Sequence, residues 1–120
     1  MCLDFVSNRY AGRDRKEIEA WKVIRPEKGG KFSFPCYGPF RSKRNTWLTA
    51  EVVDVENITG QHYNCGFHCF ETKEGAQNWA NNRHNVEIVK VKVKGILARG
   101  RQRNHSCIVA RHILVPKSKI

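Results

Sequence analysis

The sequence is poor in acidic residues and has no long apolar segment. Eleven Asp and Glu stand against 22 Lys and Arg among 120 residues, so the formal net charge is +11. No run of 18 or more apolar residues occurs, and Asp4 and Arg9 interrupt the N-terminal segment where a signal peptide would stay apolar. We therefore expect no membrane association and a cytoplasmic location.

The cysteines lack the number and the spacing of a disulfide framework. Five are present, an odd number without a regular interval, which favours reduced thiols in a chain without an export signal. The scarcity of carboxylates argues against a protein that mimics nucleic acid, since such mimics are acidic. It also leaves few partners for general acid–base catalysis, so we expect a non-enzymatic protein without a cofactor.

The pattern of apolar residues predicts an α+β fold. We expect a single domain over residues 1–120, with 1–13 as a loosely ordered arm and 116–120 as a frayed tail. Thr72 is a candidate cap for a short helix that buries Ala76, Trp79 and Ala80. Residues 14–26 suit either a helix capped by Asp14 or a strand. Strands are predicted at 47–56, 62–70, 86–98 and 107–115, forming a mostly antiparallel sheet with one or two short helices packed on one face.

The last third of the chain predicts a long basic β-hairpin. In residues 86–98 valines alternate with Lys90, Lys92 and Lys94, so the lysines line one exposed face of a strand. Residues 99–106, "RGRQRNHS", separate this strand from the strand 107–115 and predict an extended arginine-rich end of the hairpin.

The uneven distribution of charge indicates a polyanionic partner. Residues 1–44 hold 11 basic and 5 acidic side chains, residues 45–82 hold 1 and 5, and residues 83–120 hold 10 and 1. A basic ribbon on the hairpin can follow a phosphate backbone or enter a groove of DNA or RNA. Basic segments at 13–16 and 41–44 extend it, the second bordered by Trp47 and other aromatic residues. The predicted nucleic-acid contacts are Arg99, Arg101, Arg103, Lys90, Lys92, Lys94, Arg41, Lys43 and Arg44.

The segment "HYNCGFHCF", residues 62–70, raises the alternative of a metal site. Cys65, Cys69 and His68 are weak candidate ligands, and Cys36 or the pair His105 and Cys107 would have to complete the set. Strand alternation sends Cys65 and His68 to opposite faces unless Gly66 breaks the strand. We therefore expect buried thiols and no bound metal.

The same segment contains the only candidates for catalysis. Cys69 precedes the predicted helix start, where a helix N-terminus lowers a thiol pKa, yet its apolar row predicts the opposite shift. His68 points away from that row beside Gly66 and either lines a pocket or is a hydrogen-bonded structural group. His68 is the weak candidate for a catalytic residue.

Two resemblances carry further expectations. The order of "AWKVIRPEKGGKFSFPCYGPF", "GFHCFETKEGAQNWA", a V-x-V-x-V-x-G strand and "CIVARHILV" resembles small phage and prophage proteins over about residues 20 to 116. Such proteins often antagonise host defence nucleases such as CRISPR effectors, and a phage origin implies the host cytoplasm.

The second resemblance is to ADP-ribosyltransferases. "GFHCFETKEGAQNWA" is similar to the segment in which Gly-x-Tyr-Phe precedes a polar helix, which implies that His68 stands near the tyrosine position and that Phe70 and Ala80 keep the framework. The first motif of that family is replaced by "KVIR", and Glu87 is the sole acid after Glu74.

Three hypotheses follow from these observations. The leading one is a non-enzymatic nucleic-acid-binding module of phage type that contacts the phosphate backbone, alone or inside a ribonucleoprotein. The second is an anti-CRISPR-like inhibitor that docks onto a host nuclease or its ribonucleoprotein. The third is a degenerate ADP-ribosyltransferase-like enzyme with His68 in a pocket.

Overall fold

The computed structural model describes residues 3–35 and 41–117, which form ten β-strands and one α-helix. Every described strand pair is antiparallel, which confirms a mostly antiparallel α+β architecture. The elements are β1 Phe5–Arg9, β2 Ile18–Pro26, a 3-10 turn Lys28–Gly30, β3 Lys31–Ser33, β4 Ser42–Lys43, β5 Trp47–Thr49, β6 Val53–Glu56, β7 His62–Cys65, β8 Phe67–Phe70, α1 Lys73–Ala80, β9 Glu87–Gln102 and β10 His105–Leu114.

Strand β9 is the centre of the main sheet. Its 16 residues are long enough to pair with β2 along the first half, with β1 along the second half and with β10 on its other edge. The strand order is β1-β9-β10-β8-β2-β3-β4, with β5 added to β10. Because β2 also pairs with β9, the strands β2, β9, β10 and β8 form a closed circuit. Strands β6 and β7 form a separate two-stranded sheet.

The two faces of the main sheet bury separate apolar clusters. One cluster takes the alternating valines of β9 and the facing residues Ile108 and Ile113 of β10. The other lies under α1 and the β6–β7 sheet, and it includes Val109 and Trp79. Alternation of side chains along each strand assigns neighbours to opposite clusters. If a residue belongs to one cluster, its two neighbours along a regular strand therefore point to the opposite face of the sheet.

Helix α1 begins and packs as the sequence predicts. The Thr72 hydroxyl accepts a hydrogen bond from the Gly75 amide at 3.1 Å, which satisfies a backbone donor that the first turn leaves open. Ala76 and Trp79 are buried in the second cluster, and Ala80 packs at its margin. The helix therefore covers one face of the sheet.

The end of the β9–β10 pair differs from the prediction. The two strands continue to Gln102 and from His105, so Arg99 and Arg101 lie within β9 rather than in an extended loop. Arg103 and Asn104 form the two-residue turn with φ angles of 49° and 68°, the geometry of a type I′ hairpin. Glycine is unusual in a strand, so the sequence pattern with Gly100 placed the end of the first strand at residue 98. Gly100 is required because a Cβ there would overlap the Phe5 carbonyl of the neighbouring strand β1.

The N-terminal segment is part of the sheet rather than a loosely ordered arm. Residues Phe5–Arg9 pair with β9, and Leu3 and Val6 are buried in the second cluster. Two isolated apolar residues give no periodic signal, so the sequence conceals this strand. The predicted frayed tail, 116–120, is described only for Pro116 and Lys117, and 118–120 lie outside the described residues.

The segment 47–56 divides into two strands instead of one. Strand β5 pairs with β10, and β6 pairs with β7. Ala50 between them donates a backbone hydrogen bond to Arg111 at 2.8 Å, after which the chain leaves the main sheet. Residues 18–26, which also suited a helix, form β2. Within the described ranges, the helices are too short and too polar to cross a lipid bilayer.

Candidate functional site

An open cationic groove lies between the segment 10–15 and the strands β5, β9 and β10. Its volume is about 660 Å³. Four cations line it together with one indole ring, one hydroxyl and one imidazole. The members of this cationic groove are Arg13, Arg15, Lys94, Arg111, Trp47, Thr49 and His112.

Backbone contacts hold the segment 10–15 beside the sheet and so form one wall of the groove. The Tyr10 amide donates to the Leu97 carbonyl at 2.8 Å, and the Gly95 amide donates to the Asp14 carbonyl at 2.8 Å. Gly12 and Gly95 have φ angles of 76° and 70°, a region that side chains disfavour. A Cβ at Gly12 would also stand 2.6 Å from the Leu97 side chain. Two glycines therefore permit the close approach of the wall to β9.

The register of three strands places the floor of the groove on one outer face. His112 lies opposite Lys94 on β9 and opposite Thr49 on β5. The next residues along β9 and β10, Val93 and Ile113, face each other inside the first cluster. Because side chains alternate, His112, Lys94 and Thr49 point away from that cluster.

The cations of the groove are not neutralised by ion pairs. Over residues 3–35 and 41–117, the pairs closer than 4.0 Å involve Arg41, Arg44, His62, Lys90 and Arg99, and none involves a groove cation. Asp14 is the acidic residue in the lining, and one of its carboxylate oxygens accepts from the Lys16 amide at 2.9 Å. The groove therefore carries an excess of positive charge that a bound anion can neutralise.

The titration of His112 reflects this excess. Its Nδ1 lies 2.9 Å from the Thr49 hydroxyl. Burial lowers the pKa of His112 from 6.5, and the charges of Arg111 and Lys94 lower the pKa further. Burial disfavours the charged imidazolium, and repulsion acts in the same direction, since a protonated imidazole would stand beside two cations. His112 is therefore mainly neutral at pH 7.

Trp47 gives the groove an aromatic surface. The Lys94 ammonium lies over its ring, 4.1 Å from the ring centroid. Such a cation–π contact is favourable but weak at an exposed site, about 0.5–1 kcal/mol. Because this contact is weak, the Lys94 ammonium can leave the ring, and another group can then pack on the Trp47 indole.

The three predicted lysines of β9 lie on the groove side of the sheet, but they are not equivalent. Lys90 forms an ion pair with Glu19 at 2.8 Å, and this contact lowers the pKa of Glu19. Lys92 is exposed and lies opposite Glu19 in the register. Lys94 is the member that enters the groove. The carboxylate of Glu19 thus reduces the positive field over the first part of the row.

The three predicted arginines lie apart from the lysines. Arg99 is opposite Ile108, a member of the first cluster, so it projects from the face opposite Lys92. Its guanidinium pairs with Glu71 at 2.5 Å. Arg101 and Arg103 are exposed near the turn, where the Arg103 amide donates to Asp4 at 2.7 Å. The structure thus divides the predicted ribbon into two groups, because the lysines stand at even positions of β9 and Arg99 and Arg101 at odd positions, while the shifts at Gly95 and around Leu97 offset each other.

The basic segment 41–44 does not line the groove. Arg41 pairs with Glu27 at 3.9 Å, and Lys43 is exposed on β4. The Arg44 side chain is only 8% exposed and contacts Glu87 at 3.4 Å. Arg44 therefore has little surface to offer a ligand.

The segment 62–70 does not form one regular strand. Gly66 separates β7 from β8, and a Cβ there would overlap the Ala110 carbonyl oxygen. Tyr63 belongs to the second cluster and Phe67 to the first, so the alternation shifts by one residue at Gly66. The strand breaks at Gly66, which is the exception that the sequence analysis stated, so Cys65 and His68 both lie on the side of the second cluster.

His68 is a buried member of a hydrogen-bond chain. Its Nε2 lies 2.9 Å from the Tyr63 hydroxyl, which accepts from the Leu3 amide at 3.0 Å. The direction of the hydrogen bond between the Tyr63 hydroxyl and Nε2 follows the tautomer of the imidazole. We call Leu3, Tyr63 and His68 the buried histidine site. It links β1, β7 and β8.

Burial, with a smaller contribution from the charge of Lys22, lowers the pKa of His68 to about 3. A hydrogen bond to the Gly66 backbone acts in the opposite direction. The imidazole is therefore neutral and only 5% exposed. A small, mainly apolar cavity of about 150 Å³ lies beside it, with Phe34, Phe67, Phe70 and Trp79 among its walls. These features suit a structural histidine better than a proton donor to substrate.

The thiols near His68 are unreactive by their environment. Burial raises the pKa of Cys69 to about 11 and that of Cys107 to about 12. The described part of the chain contains no group of three or more His, Cys, Asp or Glu that could hold a metal ion. Cys36, a possible fourth ligand in the sequence, lies outside the described residues.

Sequence reasoning missed Arg111, Thr49 and His112 as functional candidates. "RHIL" resembles the end of an ordinary strand, and no spacing links it to residues 13–15, which are about a hundred positions earlier. One signal was present, since Arg111 and His112 together interrupt the apolar strand 107–115. Comparison of the chain with models of known protein families, with curated proteins and with solved structures finds no match.

Proposed function

We propose that the protein is a nucleic-acid-binding module that holds the phosphate backbone in its cationic groove. The observation that carries the proposal is the convergence of Arg13, Arg15, Lys94 and Arg111 without a neutralising ion pair in the described residues. The net charge of +11 adds a long-range attraction that raises the rate of encounter with a polyanion. The interface that we propose therefore lies near the middle of β9, at Lys94, instead of at the predicted hairpin end.

The mechanism is the release of counterions from phosphates that the groove cations contact. Each contact contributes about 0.7 to 0.9 to the slope of log affinity against log salt concentration. Four contacts therefore give a slope of roughly −3. The guanidinium groups of Arg13 and Arg111 have planar donors that can bind two phosphate oxygens at once, whereas Lys94 acts as a point charge.

Binding of this kind needs no catalytic group. Among the described residues, Asp14 is the one acid in the lining, and the lowered pKa of His112 keeps that imidazole mainly neutral. The proposal therefore assigns the groove residues to binding and His68 to the structure.

The experiment compares two double variants that lose the same charge. Lys94→Ala with Arg111→Ala removes two groove cations, and Arg101→Ala with Arg103→Ala removes two cations near the turn. Binding of a fluorescent mixed-sequence oligonucleotide is followed by anisotropy between about 50 and 200 mM salt. We expect the groove variant to lose affinity on the order of tenfold or more. The slope of log affinity against log salt concentration should become less steep by the amount that about two phosphate contacts contribute.

The turn variant is expected to stay close to the native protein, since its arginines lie away from the groove. Equal losses in the two variants would reject the groove as the interface. Absence of binding by the native protein at 50 mM salt would reject the function itself.

A further inference from the structure

The aromatic member of the cationic groove distinguishes it from a simple phosphate-binding patch. Trp47 lies among four cations, and one of them, Lys94, is over its ring at 4.1 Å from the centroid. Stacking of a base on indole is more favourable than the cation–π contact of an exposed ammonium. An ammonium in turn binds a phosphate more strongly than it binds an aromatic ring. Both groups therefore gain when Lys94 moves to a phosphate and a base takes its place.

Stacking on an indole requires an unpaired base with an open face. In a duplex both faces of an internal base are covered by its neighbours, so the duplex offers phosphates to the groove but no ring surface. The groove also has a wall, the segment 10–15, which the Asp14 carbonyl holds against Gly95. A volume of about 660 Å³ behind this wall suits a nucleotide rather than the side of a duplex.

A second, smaller cavity continues the path on the other side of the wall. It has a volume of about 290 Å³ and shares Gly12, Arg13 and Asp14 with the groove. Tyr10, which is 44% exposed, lines this cavity. An aromatic ring is thus present on each side of Arg13, an arrangement that suits a strand whose backbone crosses the wall at that cation.

We infer that the cationic groove selects single-stranded nucleic acid by stacking a base on Trp47, with Lys94 transferred from the ring to the adjacent phosphate. This inference rests on the proposed function and adds the class of ligand. It assigns Trp47 to selection and the arginines to affinity.

The test is the replacement of Trp47 by alanine, with Trp21→Ala as the matched control. Trp21 also carries lysines over its ring, Lys90 at 5.7 Å and Lys73 at 5.6 Å, but it does not line the groove. The probes are fluorescent oligo-dT, oligo-rU and a mixed-sequence duplex of equal length at one salt concentration. We expect Trp47→Ala to weaken single-strand binding on the order of tenfold and duplex binding less than twofold.

A conservative variant protects the test against misfolding. Trp47→Phe keeps an aromatic face and should retain most of the single-strand affinity, while the quenching of tryptophan emission on binding should be lost. Trp21→Ala should leave the ratio of single-strand to duplex affinity unchanged. Comparison of oligo-dT with oligo-rU distinguishes DNA from RNA as the source of the strand.

Two results would overturn parts of the argument separately. Trp47→Ala could weaken the binding of single strand and of duplex equally, or could weaken neither, while binding still depends on salt. In that case the stacking inference fails and the proposed function stands. If the native protein binds no probe in a salt-dependent way, both fail.

Discussion

Two histidines of this protein have a lowered pKa, and their surroundings show how differently one residue type can serve a fold. At the buried histidine site, His68 is enclosed and hydrogen-bonded to Tyr63. In the cationic groove, His112 is only partly buried and faces Arg111 and Lys94. Burial is the first cause of the shift in both cases, but at His112 the further causes are the cations that we propose as ligand contacts.

The comparison separates stability from binding. Groups at the buried histidine site are satisfied by the protein itself, so their loss should change the free energy of unfolding. Groups in the groove leave charge unneutralised, so their loss should change affinity and leave the fold intact. The predictions below test whether the two regions are independent in this sense.

The largest expected effect is on stability. His68→Ala removes a hydrogen-bond partner of the Tyr63 hydroxyl and leaves a cavity, so we expect the free energy of unfolding to fall by about 3 kcal/mol. Urea unfolding followed by circular dichroism measures the change. His112→Ala is the control and should shift the free energy by less than about 0.5 kcal/mol. Similar values for the two variants would remove the distinction between the regions.

A somewhat smaller effect is expected on the pH dependence of stability. The pKa of His68 is about 3 in the folded chain, against an ordinary value of 6.5 in the unfolded chain. Between these values the unfolded state binds more protons, so stability rises with pH and is lost on acidification below 6.5. The loss between pH 7 and pH 5 should be about 2 kcal/mol, because the slope reaches about 1.4 kcal/mol per pH unit.

His68→Gln sharpens this measurement. The glutamine oxygen can accept from the Tyr63 hydroxyl but does not titrate. Urea unfolding at pH 7 and pH 5 should therefore give nearly the same free energy in this variant. An unchanged loss on acidification would assign the pH dependence to other groups.

The smallest expected effect is on the protonation of His112. A bound polyanion neutralises Arg111 and Lys94, so the pKa of His112 should rise when the groove is filled. Affinity should then increase modestly as pH falls through this pKa, since the imidazolium adds a cation. An NMR titration of the imidazole signals with and without oligonucleotide measures the change.

His62, which lies on β7 outside the groove lining, is the internal control, and its imidazole signals at one pH should be the same with and without oligonucleotide. A His112 signal that titrates identically in the free and bound protein would place the ligand elsewhere. Such a result would leave the stability predictions for His68 untouched.

The elements that the sequence predicted correctly depend on local patterns. Thr72 with Ala76 and Trp79 has the spacing of a capped amphipathic helix, and the valines of β9 alternate over several positions. These signals arise within one element, so no tertiary contact is needed to recognise them. The α+β class follows from their order along the chain.

The parts that the sequence did not predict depend on contacts between distant segments. The residues Phe5–Arg9 form a strand only because β9 extends beyond Gly95 and offers a free edge. The face that Ile96 presents depends on an irregularity in the pairing of β9 with β10, which no local pattern indicates. The groove joins Arg13 to Arg111, and only the pairing of strands brings such residues together.

The hydrogen bond from the Gly95 amide to the Asp14 carbonyl links ligand binding in the groove to folding. It joins the first basic third of the chain to the last, so the charge density of the groove exists only in the native state. An unfolded chain spreads the same cations along its contour and attracts a polyanion more weakly at any one point. A ligand that touches both thirds therefore acts as a non-covalent cross-link, and its concentration should set the temperature at which the protein melts.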